Sequence, residues 1–157
     1  MGFPLGTLKM TKAEFFMEAN DNPTSMDSIL DNLLRKKVIV IDDDPLVLKT
    51  IREYLADDYE VAVARSGSIA YRYLEEHHVD LILIDFEMPG EKGDSVLTNI
   101  RKLPYATNAA AIFLTGAVDK NTVMDILRTK PQGYLVKPVS KEKLLEKIHE
   151  VLDKSVV

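Results

Sequence analysis

From Lys37 onward, short aliphatic runs and amphipathic helical patterns alternate five times, and no other feature of the chain constrains its fold as tightly. "VIVI" (38–41) is followed by "PLVLKTIREYL" (45–55), which puts Leu48, Ile51, Tyr54 and Leu55 on one helical face. "YEVAVA" (59–64) alternates with a strand's period, and "SGSIAYRYLEEHH" (66–78) reads as a helix opened by Ser66. "DLILID" (80–85) is an apolar run of the kind buried on both faces of a parallel sheet. "GDSVLTNIRKL" (93–103) spaces Val96, Leu97, Ile100 and Leu103 as a helix. "AAIFLT" (110–115) predicts a fourth strand, and "DKNTVMDILRT" (119–129) a helix capped by Asp119. "GYLV" (133–136) is the fifth strand; "SKEKLLEKIHEVLDK" (140–154) closes with Leu144, Leu145, Ile148, Val151 and Leu152 at helical spacing. Five βα units predict an α/β fold: a doubly wound parallel five-stranded sheet, (βα)5, with right-handed crossovers and helices on both faces. Periodicity leaves the strand order open.

Residues 1–36 stand outside this alternation and form an N-terminal extension to a domain spanning 37–157. The opening "MGFPLGTLK" is aperiodic and reads as an appendage, and "TKAEFFMEA" (11–19) offers a capping box of Thr11 with Glu14. "SMDSILDNLLRKK" (25–37) is a better helix, with Met26, Ile29, Leu30, Leu33 and Leu34 as one stripe and basic residues in its last turn.

In doubly wound sheets, functional groups gather outside the carboxyl ends of the strands. Asp44 before Pro45 is explained as a helix start, N-cap then N1. Asp42 and Asp43 lack that explanation, and Asp85 ends the third strand at the same edge. Two carboxylates about 4 Å apart repel by roughly 4 kcal/mol at an effective dielectric near 20. Three together would remove much of a stability totalling only about 5–15 kcal/mol, so their convergence implies a cation. Zero cysteines exclude thiolate metal sites, disulfides and thiol catalysis together, and fit the cytoplasm. Hard oxygen ligands that leave room for water suit Mg²⁺, with Mn²⁺ also admissible. Thr115 and Lys137 end the fourth and fifth strands on the same rim. Acids, a hydroxyl and an ammonium supply the positioning and charge stabilisation that phosphoryl transfer needs.

"VIVIDDDPLVL", "LILIDFEMPG", "IFLTGA" and "YLVKPV" together resemble the four signature segments of the receiver domain of two-component response regulators, in order and from about residue 37 to the end of the chain. The resemblance implies a flavodoxin-like sheet of order 2-1-3-4-5. It implies Asp85 as phosphoacceptor from a phosphohistidine, with a sensor histidine kinase or histidine phosphotransfer protein as partner. Asp42 and Asp43 would hold Mg²⁺ with Asp85 and the backbone carbonyl of Glu87. Lys137, before a cis Pro138, would pair with the phosphoryl group, and Thr115 would close on it. Tyr134 would turn inward afterwards. Glu87's side chain and Ala117 would set the acyl-phosphate lifetime. The readout face, and a homodimer through it, would be the helix over 119–129, the strand over 133–136 and the helix over 140–154.

Two rivals remain at this point. A haloacid-dehalogenase-type phosphatase also ends one strand in Asp-x-Asp, here Asp42 to Asp44, and another in a hydroxyl, here Thr115. It needs a later acidic pair, which no strand after Thr115 supplies, and it leaves "DFEMPG" unexplained. A degenerate receiver that only binds partners is disfavoured by the complete set of five residues. The net charge of −5 argues against direct nucleic-acid contact, and no apolar run approaches the roughly 18 residues that span a bilayer. The chain stops just after the fifth helix, so an output domain is not expected within it. His77 and His78 near a helix C-terminus read as dipole partners rather than ligands or phosphodonors.

Overall fold

The computed structural model describes residues 25–154, and backbone contacts divide the chain into two units, the second beginning at Lys36. The capping-box pattern at Thr11 and Glu14 lies outside the described residues. In the first unit, helix α1 (Met26–Leu34) is opened by Ser25, whose Oγ accepts from the Ser28 N–H at 3.1 Å. It ends with the last residue of the stripe, Leu34, three residues short of the predicted span 25–37. Arg35 is already extended, as approach to a strand at Lys37 requires, so the basic residues fall outside the last turn.

The second unit is a five-stranded parallel sheet: β1 (Lys37–Ile41), β2 (Glu60–Ala64), β3 (Leu81–Asp85), β4 (Ala110–Thr115) and β5 (Gly133–Val136), in the order β2-β1-β3-β4-β5. Between them run α2 (Pro45–Leu55), α3 (Gly67–Leu74), α4 (Gly93–Ile100) and α5 (Lys120–Arg128), with α6 (Lys141–Lys154) last. The strand period of two sends alternate residues into two cores. Ile39, Ile41, Ile82, Ile84 and Phe113 meet α3, α4 and α5 through Ala70, Leu74, Val96, Leu97, Ile100 and Ile126. Val38, Val40, Leu83, Ile112 and Leu114 meet α2 and α6 through Leu48, Ile51, Leu55, Leu144 and Ile148. Burying β3 on both faces explains why "LILI" shows no alternation.

Two helices are shorter than their patterns. α4 stops at Ile100 rather than Leu103, because Pro104 disfavours helical backbone at the residue before it. The chain continues in turns (Leu103 N–H to Ile100 O, 2.9 Å), and Leu103 still packs against the core. α3 stops at Leu74; His77 then lies beyond it, its Nδ1 2.9 Å from the Tyr73 carbonyl and its ring stacked on Tyr73 with centroids 4.1 Å apart. His78 pairs with Asp80 at 3.1 Å. Among the described residues no helix is long and apolar enough to cross a membrane.

Candidate functional site

β1 and β3 are neighbours whose last registered pair is Ile41 with Ile84, so Asp42, just past β1, and Asp85, the last residue of β3, stand at the same level of the carboxyl edge. The order of strands reverses here, which makes this the crevice of the sheet. Asp42, Asp43 and Asp85 each present an oxygen within 4.8 Å of the others. Asp42 and Asp85 are buried and Asp43 is exposed. Asp42 is fixed by its own N–H on Ala64 O (3.1 Å) and by the Asp44 N–H on its Oδ1 (2.9 Å). Asp44 caps α2 through the Leu46 N–H at 2.9 Å, with Pro45 in the first turn.

Lys137 reaches this cluster from the end of β5. Its N–H donates to Thr115 O at 2.8 Å, and the Lys137–Pro138 bond is cis. Its Nζ lies 2.8 Å from Asp42 Oδ2 and 3.3 Å from Asp85 Oδ1. Burial, and then the charge of Asp42, push the Asp85 carboxyl up to about 6, against the opposing pull of Lys137 and the Glu87 N–H. Burial alone would lower the Lys137 ammonium, but the hydrogen bond and charge of Asp42, then those of Asp85, raise it. The cluster therefore already contains one cation. Three carboxylates against one ammonium still leave two negative charges in excess, which is the complement of a divalent ion.

The remaining predicted residues stand close by without joining the cluster. Thr115 is fully buried, but its Oγ1 donates to Ala117 O (3.2 Å) and accepts from the Ala117 N–H (3.0 Å). Glu87 donates its N–H to Asp85 Oδ1 at 3.2 Å while its side chain is exposed. Tyr134 is half-buried, in register with Phe113 and packed on the core beneath.

Three features around the site carried no signal in the pattern of the chain. At Gly93 a Cβ would stand 2.6 Å from the Asp85 carbonyl and 2.8 Å from Phe86 Cα, so only glycine lets α4 start against the acceptor strand. Glu91 is engaged by Tyr71 and Asn99 from two different helices. An apolar groove of about 420 Å³ lies beside Lys137, lined by Leu46, Val47, Thr50, Tyr54, Pro138 and Val139 among others.

Comparison with known proteins gives one consistent result. The family described as "Response regulator receiver domain" matches residues 38–149, more than half of the chain. A probable cyclic di-GMP phosphodiesterase of Vibrio cholerae is 29% identical over 120 residues, covering 76% of this chain and 27% of that protein. The transcriptional regulatory protein MalR of Bacillus subtilis is 34% identical over 109 residues, covering 68% of this chain and 46% of that protein. The chain thus spans less than half the length of these relatives. Among solved structures, a CheY-like receiver domain protein from Methanospirillum hungatei superposes with a TM-score of 0.72 at 28% identity, covering 78% of this chain and 97% of that one.

Proposed function

The chain belongs to the response regulator receiver domain family, and on that premise we propose that Asp85 accepts a phosphoryl group from a phosphohistidine on a sensor histidine kinase or histidine phosphotransfer protein. The observation that carries this reading is the cluster of Asp42, Asp43 and Asp85 bridged by Lys137. Asp85 Oδ attacks phosphorus in line as the N–P bond breaks, and the imidazole leaves. Water later cleaves the acyl phosphate, returning the carboxylate and inorganic phosphate. With its carboxyl at about 6, Asp85 is mostly ionised at neutral pH and available as nucleophile.

Asp42, Asp43, Asp85 and the Glu87 carbonyl would hold Mg²⁺, or Mn²⁺ in its place; their hard oxygen donors and excess of two negative charges suit either. Such an ion, when bound, neutralises the acceptor and the incoming phosphoryl oxygens. Lys137 meets one phosphoryl oxygen. Thr115 meets another by giving up Ala117, which draws the loop ahead of α5 toward the rim. About two added negative charges thereby bias α5, β5 and α6, the face we assign to readout, with Tyr134 turning inward behind Thr115. Exposed Met124, Leu127 and Val136 suit that face to a partner or a second copy of the chain. The donor's histidine-bearing segment would rest on the groove beside Lys137. We assign the domain to the cytoplasm, where ATP-dependent kinases make phosphohistidine, and to signalling rather than turnover of substrates.

The test is incubation with MgCl₂ and acetyl phosphate or phosphoramidate, read by intact mass. One base-labile phosphoryl group is expected on the wild type and none on Asp85→Asn. An unlabelled wild type, or a variant that keeps the label, would overturn the assignment.

A further inference from the structure

The loop from Phe86 to Lys92 carries the Glu87 carbonyl, and its two halves are held differently. The first half is tied to the sheet: the Phe86 N–H donates to Leu114 O at 2.8 Å, and Phe86 and Met88 are buried. The second half turns through exposed Pro89 and Gly90, the latter at φ 88°. It returns to the protein at Glu91. There Oε2 accepts from the Tyr71 hydroxyl at 3.0 Å and from Asn99 Nδ2 at 3.1 Å, and Asn99 Nδ2 also lies 3.2 Å from the Tyr71 oxygen. Oε1 rests over Gly67, the first residue of α3, only 2.8 Å from where a Cβ would stand. A carboxylate over a helix N-terminus is favourably placed. Burial above all, with Glu91 adding to it and the Asn99 hydrogen bond opposing it, raises the Tyr71 phenol above its ordinary range. Three side chains from two helices and one loop thus close a single polar knot, joining the loop after β3 to the helix after β2.

We propose that Glu91 is a positioning residue for the acceptor loop: clasped by Tyr71 and Asn99, it keeps the Glu87 backbone against the acid cluster. The inference rests on the assignment of Asp85 and Glu87 above. Without the clasp, the loop keeps its buried first half, the Glu87 N–H on Asp85 Oδ1 (3.2 Å) and the Gly93 N–H on Phe86 O (2.8 Å). It loses its anchor between Met88 and Gly93, and the Glu87 carbonyl that would meet an ion is held less firmly. The acids themselves stay in place, held by β1 and β3.

The experiment uses the full chain as wild type, Tyr71→Phe, Glu91→Ala and the double variant, titrated with MgCl₂ in a calorimeter. Amide exchange of residues 87–93 is followed in EDTA. Each single substitution is expected to weaken Mg²⁺ affinity by about tenfold, the low end for groups that support a metal ligand. The double variant should be no weaker than Glu91→Ala alone, because both remove one interaction. Exchange should quicken in 87–93 and not in β1 or β3, a local signature that general destabilisation does not give. Tyr71→Phe, which loses only a hydroxyl, decides the matter should Glu91→Ala not fold. Mg²⁺ affinity equal to wild type in the folded variants would overturn the proposal and leave the acceptor assignment standing. A wild type that takes up no Mg²⁺ would overturn both.

Discussion

At Asp85, burial and the neighbouring Asp42 hold the carboxyl at about 6, whereas an ordinary aspartate has 3.8. A raised acid binds its proton more tightly in the folded state than in the unfolded one, so stability falls as pH rises from about 4 to about 6 and stays low above that. In EDTA at pH 7, Asp85→Asn should therefore be more stable than the wild type by on the order of 2–3 kcal/mol. The gain should fade toward pH 4. Urea unfolding at both pH values checks it; a gain that persists at pH 4 would mean that something other than the carboxylate's charge is responsible. Gly93 makes a complementary case of steric origin. Gly93→Ala forces a Cβ against two backbone atoms of the acceptor segment, neither of which can rotate away. A loss of about 1–3 kcal/mol is expected, together with weaker Mg²⁺ uptake, because Asp85 and the Glu87 loop must shift. Unchanged thermal unfolding would refute it. That Asp42, Asp43, Asp85 and Lys137 gather at one edge of the sheet was legible because each follows or ends an apolar strand of a parallel sheet. The resting bonds of Thr115 to Ala117 were not, since a hydroxyl's choice among near neighbours is set by loop geometry. Glu91 was silent for a similar reason: an acid after a Pro-Gly turn reads as solvated until distant Tyr71 and Asn99 are brought to it.

Among the elements, the strands were readable almost to the residue, and β4 and β5 fell where their runs predicted. Helix ends were harder, because amphipathic spacing persists into turns that still bury their apolar side chains, as Leu103 does after α4. α5 shows how an element can be well predicted and weakly held. Ile126 is its one buried residue, and its C-terminal end is clamped by the Arg101 guanidinium on the Thr129 and Lys130 carbonyls. Its N-terminal end follows the Thr115–Ala117 loop. A helix fixed at one end and lightly buried suits a switch whose input arrives at the other. The groove between α2 and the segment after β5 invites a different test, since it adjoins Lys137 without containing the acids. Leu46 is 68% exposed there, so Leu46→Asp should leave stability nearly unchanged. Phosphotransfer from a phosphohistidine-bearing protein donor should slow by at least about tenfold, while labelling by acetyl phosphate stays at the wild-type rate. Equal loss with both donors would assign Leu46 to the site itself and not to docking.

For the whole molecule, periodicity sufficed for five βα units but not for their arrangement. Runs as apolar as those of β1, β3 and β4 can share the centre of a sheet in more than one order, and the placement of β1 beside β3 entered only through the likeness of four short segments to a known family. That placement is what brings Asp85 to the adjacent pair Asp42 and Asp43. It also sets where the self-sufficient part of the chain starts. Among the described residues every strand lies between Lys37 and Val136, and both cores are built from residues between Val38 and Leu152. Lys36 belongs with them, its carbonyl accepting from the Glu60 N–H at 2.9 Å. A chain starting at Lys36 should therefore unfold within about 0.5 kcal/mol of the full chain and take one phosphoryl group on Asp85 at the same Mg²⁺ requirement. Thermal unfolding and intact mass measure the two properties separately. If the shortened chain were labelled normally yet lost several kcal/mol, the preceding residues would contribute to its core. If it stayed stable but was no longer labelled, they would act on the acid cluster, and the sheet alone would not suffice as a phosphoacceptor.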